Sequence, residues 1–360
     1  MLYFFSLFIL SFFFSYLSVD FIRKIGHKYD ILLYPQKDRW HSKPIAVHGG
    51  IGFIPVFAIL LMITSVMFSP ISEFFQNQND PSLIKEYYNS LIFIIALIGS
   101  ASILFIFGWL DDIFNFSAIL RLFVQIFVST IFILDIGTFQ IFESHFLNFT
   151  YTLFWFVGII NATNLMDCMD GLCGGILSIA VIFLGAVILN NFTFDNDQIF
   201  FSVNLVFIFI GVLFGFLLLN LPPAKIFMGD SGSLPLGFII ASITLPSEFN
   251  GLSSSDNLMI PVVVPILLLL YPIFDTTLVT VTRIIRGKKF YVGGKDHSCH
   301  RFVNIGLSEK YSLICCYIIG AIGGLSALTL MSFSELVLPV LSLNLFLVIG
   351  LIYYLGKVKI

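Results

Sequence analysis

Charge is what this chain has least of. Lys, Arg, Asp and Glu make up 11% of its 360 residues, against 58% hydrophobic ones. A soluble domain carries roughly a quarter of its residues charged to dress its exterior, so a water-soluble globular protein is excluded. The mean hydropathy of +1.00 agrees. Paired cysteines are also missing: Cys168, Cys173, Cys299, Cys315 and Cys316 are odd in number. None has the paired spacing of a zinc site or a secreted disulfide framework. The first apolar run, residues 1–19, lacks the basic leader and small-residue cleavage site of a signal peptide, and reads as a retained first span. With no linker, soluble segment or internal repeat in view, residues 1–360 read as one domain.

What is there in quantity is apolar sequence. Eleven runs approach the length needed to cross about 30 Å of hydrocarbon, at 1–19, 49–69, 90–110, 119–136, 151–163, 172–190, 199–219, 234–247, 259–282, 312–332 and 336–355. A lipid interior requires every backbone group to be paired within its own segment, which helices do. The expected fold is therefore an all-α polytopic bundle of about ten or eleven spans, with the fifth and eighth short. Orientation follows from the basic residues, which accumulate in cytoplasmic loops. With those eleven runs as spans, seventeen of the eighteen Lys and Arg fall on one side and Lys85 alone on the other. That places the N-terminus outside and the C-terminus in the cytoplasm.

The acids of the cytoplasmic side gather at three places. Asp111 and Asp112 close the third run in Phe107-Gly-Trp-Leu-Asp-Asp. Asn161, Asn164, Asp167 and Asp170 follow one another every three residues after the fifth. Asp230 lies in Gly229-Asp-Ser-Gly-Ser. Any one pair reads more simply as a helix cap or a solvated loop, but together they repel unless a cation compensates them. Oxygen donors without a His/Cys set favour Mg²⁺, with Mn²⁺ as its substitute, and Mg²⁺ commonly shares its shell with substrate phosphates. Phosphoryl chemistry is the implied class. Residues spaced by three turn 60° backwards at each step of an ideal helix. The four residues from Asn161 to Asp170 can therefore converge only if the segment breaks, which Gly171, Gly174 and Gly175 permit. Lys43, Lys225, Lys295 and Arg301 are candidates to neutralise a diphosphate. His297 and His300, three apart, could share one helix face. The plain alternative is topological charge with solvated histidines.

These residues resemble the polyprenyl-phosphate N-acetylhexosamine-1-phosphate transferases of the WecA, TagO and MraY types. The shared pattern runs from Lys37 to Arg301: Arg39-x-His41-x-x-Pro44 with Gly49-Gly50, the Asp-Asp pair, Asn161-x-x-Asn-x-x-Asp-x-x-Asp-Gly, Gly-Asp-Ser-Gly-Ser and a histidine loop. The resemblance implies an Mg²⁺-dependent enzyme that moves an N-acetylhexosamine 1-phosphate, GlcNAc-1-phosphate first, from a UDP-sugar to undecaprenyl phosphate, initiating cell-envelope glycan synthesis. It implies Asp230 and Asp167 as metal ligands and Asp111, Asp112, Asp167 and Asp170 as catalytic acids, with Asp111 or Asp112 the candidate base. Asn164, Lys43, Lys225, His297, His300 and Arg301 would bind substrate. Two departures stand out: Cys168 where most members carry Gly, and His297-x-x-His300-Arg301 where the MraY type has consecutive histidines. The second makes the muramoyl-pentapeptide substrate the alternative. A transporter is the reading from another class, against which the one-sided acids argue. Expected partners are the nucleotide sugar, the lipid phosphate and the membrane, with no nucleic acid and a homodimer left open.

Overall fold

A computed structural model describes residues 2–34, 44–67, 81–190, 197–245, 259–289 and 294–358. Helices dominate it: α1 Leu2–Lys28, α2 Gly49–Met67, α3 Pro81–Phe114, α4 Ala118–Ile136, α5 His145–Met166, α6 Leu172–Asn190, α7 Asp197–Asn220 and α8 Asp230–Ile243. They continue as α9 Ile260–Leu268, α10 Leu270–Ile285, α11 Ser298–Asn304, α12 Glu309–Ser332 and α13 Val337–Gly356. One two-residue antiparallel pair, β1 Leu32–Leu33 with β2 Ile45–Ala46, brackets the first basic loop.

Among the described residues nine helices are long and apolar enough to cross a membrane. The pair α9 and α10, bent by 74° at Leu269, makes a tenth if counted as one span. The eighth apolar run is α8, short as expected. Its 14 residues rise only about 21 Å at 1.5 Å each, short of the hydrocarbon thickness. It has no lipid to match, because Ser231 to Ile243 are all buried and its neighbours include α3, α5 and α2. The fifth span, expected to be short, is a full 22-residue helix that starts at the Ser144 cap. There Tyr151, Thr152 and Asn148 had masked the apolar pattern on the outer side.

The perimeter is apolar. Phe13 and Phe14 on α1, Phe123 and Phe127 on α4, and Leu343 and Phe346 on α13 are exposed, as lipid-facing side chains are. The centre is α7 with α6 and α8, where Phe209, Phe216, Phe238 and Leu184 are fully buried. This layout carries the C-terminal ends of α3 and α5 and the N-terminal end of α8 to one end of the bundle.

Candidate active site

The site is built on the meeting of α3 and α8. Gly108, one turn before the Asp-Asp pair, lies so close to α8 that a Cβ there would stand 2.3 Å from the Asp230 carbonyl oxygen. Only glycine allows this approach. It lets Asp112 reach the open N-terminus of α8, where its carboxylate accepts the backbone N–H of Asp230 at 2.8 Å and of Ser231 at 3.2 Å. Unpaired N–H groups at a helix N-terminus favour an anion for both hydrogen-bonding and dipole reasons. Gly229, at φ +74°, completes the cap, since a Cβ there would fall 2.6 Å from Asp112 Oδ2. His48 Nδ1 lies 3.1 Å from the same carboxylate.

Asp111 points elsewhere. It is buried, accepts the Phe116 N–H at 2.7 Å, and pairs with Arg121 Nε at 2.6 Å. Arg121 Nη1 then stands 3.7 Å from Asp230 Oδ2. Asp230 Oδ1 accepts from Asn164 Nδ2 at 2.8 Å, and the same amide reaches Ser233 Oγ at 2.9 Å. Asn161 turns away and bonds Gln125 of α4 at 2.6 Å.

The expected break in the third motif is present. Helix α5 ends at Met166 and α6 begins at Leu172, with a turn between them. That turn is fixed from four sides: Asp167 N–H to the Asn164 carbonyl, Ala224 N–H to Asp170 Oδ2, Gly171 N–H to Asn220 Oδ1, and Tyr317 hydroxyl to the Gly171 carbonyl. Asp167 thereby joins Asp230 and Asp112. Burial first, then the charges of Cys168, Asp230, Asp112 and Asp170, push its pKa up to about 8. Burial and crowding by other acids both disfavour its ionised form unless positive charge is brought to it. The donors are all oxygen, so they fit a hard divalent cation, with Asp167 and Asp230 carrying the oxygens least engaged by protein donors.

The basic loop behaves differently from expectation. Arg301 is fully buried, and each guanidinium nitrogen is taken: Nε by the Asp296 carbonyl at 2.7 Å, Nη1 by the Leu355 carbonyl at 2.8 Å, Nη2 by Thr282 Oγ1 at 2.6 Å. It ties α10, α11 and α13 together through three of its five N–H donors. His297 Nδ1 is 2.7 Å from Asp275 Oδ2, and Asp275 Oδ1 accepts the Ser298 N–H at 2.7 Å. Asp275 is thus the packing residue that anchors the loop. Burial opposes charge on His297, but the Cys168 sulfur and the Asp275 carboxylate outweigh it and raise its pKa to about 9. His300 is buried, with Nδ1 3.3 Å from Cys299 Sγ. Lys225 is exposed on the loop that leads to Asp230, and Lys43 lies outside the described residues. The base role expected of Asp111 or Asp112 meets the same physical obstacle as Arg301, because Arg121 and Phe116 occupy one carboxylate and three donors the other. Sequence reasoning counted Arg121 only as inward charge and His48 only as a neighbour of Gly49-Gly50. Nothing in their spacing announces that they pair with acids 10 and 64 positions away.

A multi-span membrane protein with a one-ended carboxylate cluster, capped by a buried short helix, is the class these features define. The sequence profile of glycosyl transferase family 4 matches residues 91–248, the stretch that holds all five acids. Over 246 residues the chain is 33% identical to a probable undecaprenyl-phosphate N-acetylglucosaminyl 1-phosphate transferase of Bacillus subtilis, covering 66% of each chain. It is 24% identical over 328 residues to a decaprenyl-phosphate N-acetylglucosaminephosphotransferase of Mycobacterium leprae, covering 84% of this chain and 78% of that one. A phospho-N-acetylmuramoyl-pentapeptide-transferase of Streptococcus agalactiae is 32% identical over 208 residues, 53% of this chain and 57% of its own. The chain belongs to glycosyl transferase family 4.

Proposed function

We propose that this chain transfers GlcNAc-1-phosphate, or a closely related N-acetylhexosamine 1-phosphate, from a UDP-sugar to a polyprenyl phosphate at the cytoplasmic face of the cytoplasmic membrane. The observation that carries the reading is the convergence of Asp111, Asp112, Asp167, Asp170 and Asp230 on one end of the bundle, between spans that can hold a lipid tail. An oxygen of the lipid phosphate attacks the sugar-linked β-phosphorus, the bond to the bridging oxygen breaks, and UMP leaves with the electron pair. A phosphate monoester with a second pKa near 6 is already mostly dianionic at neutral pH, so this reading asks no residue to act as base.

The chain's own part is positioning and charge. Asp230 and Asp167 would hold Mg²⁺, which when bound supplies neutralisation of the diphosphate. Asn164 orients Asp230, and Asp170 holds the turn that presents Asp167. Arg121, 3.7 Å from Asp230, stands where charge on a phosphoryl oxygen would need a partner, and Lys225 and Lys43 are the rim cations. Asp112, Asp111 and His297 position these groups, and Arg301 holds the helices behind them together. The relatives named for N-acetylglucosaminyl phosphate transfer match over more of the chain than the pentapeptide transferase does. Together with the His297 to Arg301 loop, they favour UDP-GlcNAc.

The test is UMP release by purified protein given undecaprenyl phosphate and a panel of UDP-sugars, with and without EDTA. UDP-GlcNAc should turn over fastest and EDTA should abolish the signal, with Mg²⁺ restoring it. Faster use of UDP-MurNAc-pentapeptide would overturn the sugar, and no UMP from any donor would overturn the reaction.

A further inference from the structure

Two of the five cysteines meet in space although 131 positions separate them. Cys168 Sγ, in the turn between α5 and α6, lies 3.3 Å from Cys299 Sγ at the start of α11, and Cys299 Sγ lies 3.3 Å from His300 Nδ1. The three ligand atoms all fall within 4.8 Å of one another. Neither sulfur is in a disulfide. Zinc bound to thiolate at about 2.3 Å and to imidazole at about 2.0–2.1 Å sets tetrahedral edges near 3.5–3.8 Å, so small side-chain adjustments suffice to seat it.

We propose that Cys168, Cys299 and His300 form a site for a soft divalent cation, Zn²⁺ first, which staples the Asp167 to Gly171 turn to α11 and leaves its fourth corner to solvent. Binding is balanced as Zn²⁺ with two thiols and a neutral imidazole giving a neutral dithiolate complex and two protons, so no oxidant or reductant enters. Neutrality is what makes the site tolerable in a buried setting, where two free thiolates would be costly. The frame around it is already rigid. Ser312 Oγ donates to the Cys299 carbonyl at 2.6 Å, Ser298 N–H is fixed by Asp275, and Tyr271 and Ser298 hydroxyls are 3.0 Å apart. On the other side Asp170 and Gly171 are pinned by Ala224 and Asn220. Outer partners that hold ligands in place tighten metal sites. Sulfur and imidazole select a different cation from the all-oxygen cluster beside them, so the staple does not rest on the proposed reaction although Cys168 adjoins Asp167 in the same turn.

The experiment uses reduced, chelator-stripped full-length protein in detergent, with cobalt(II) and zinc as probes. Cobalt should give a near-ultraviolet thiolate charge-transfer band at one equivalent, zinc should displace it, and zinc should raise the unfolding temperature. Cys168→Ser should lose the band and the thermal shift, while Cys316→Ser, a buried cysteine outside the cluster, should keep both. Cys299 is fully buried and its replacement can disturb folding, so the wild-type spectrum is the arm that needs no variant. Absence of a thiolate band in the wild type, or an unchanged band in Cys168→Ser, overturns the proposal.

Discussion

At the scale of single residues, five aspartates that look alike in the sequence divide by what their oxygens touch. Asp112 spends its carboxylate on two backbone N–H groups and His48, whereas Asp230 has one amide donor and a distant Arg121. Asp230→Asn should therefore cut turnover by about 100-fold, in line with removal of a preorganised charge, and leave the unfolding temperature unchanged or raised as repulsion falls. Asp112→Asn should lower both, with a stability loss on the order of 1.5–3 kcal/mol for charge-assisted bonds. UMP release and detergent thermal melts on the two variants test the split, and identical behaviour would refute it. His297 makes a prediction in pH. Its folded pKa of about 9 stands above the ordinary histidine value of 6.5, so the folded chain holds the proton more tightly than the unfolded one. That stability is fully present below pH 6.5 and is lost as pH rises through about 9. The melting temperature should fall across that window in the wild type and fall less in His297→Gln.

At the scale of elements, α8 determines the geometry, and it was the hardest to see. The sequence shows an apolar run at 234–247, which the fold makes a helix, and a Gly-Asp-Ser-Gly turn before it, which forms the open N-terminus of that helix. Its shortness was legible in the run itself, whereas its being sheathed in protein depends on neighbours that no local pattern encodes. The break after Met166 was legible because a three-residue spacing cannot converge on an unbroken helix, and glycines follow it. The ties Arg301 makes to three helices were not legible, because a phosphate-facing guanidinium, positive-inside charge and a buried tie look the same in one dimension. Arg301→Lys keeps the charge and loses the fork, so it should lower stability by about 2–3 kcal/mol while kcat/KM per folded molecule changes little, as thermal melts beside kinetics would show. Gly108→Ala puts a Cβ 2.3 Å from a backbone oxygen of α8. The two helices must then part, and activity should be lost together with several degrees of melting temperature.

At the scale of the whole molecule, the inference with most consequence is direction, because the side on which the acids open decides which pool of nucleotide sugar they meet. With all eleven apolar runs counted as crossings, seventeen of eighteen basic residues share the side of the aspartates, and the inward bias of basic loops then predicts that the acids open inside the cell. The fold supplies residues at both ends on which to test this. Glu143 lies exposed on the connection between α4 and α5, at the end away from the aspartates, and Lys288 lies exposed just after α10 on the other side. In a cysteine-free background, Glu143→Cys should react with an impermeant maleimide added to intact cells. Lys288→Cys should react only after the membrane is opened. Both loops are short and neither residue belongs to the cluster, so the labels report orientation alone. The reverse pattern would turn the molecule over and leave the aspartates facing a compartment without UDP-sugars, which would refute the transferase direction even if the purified protein released UMP.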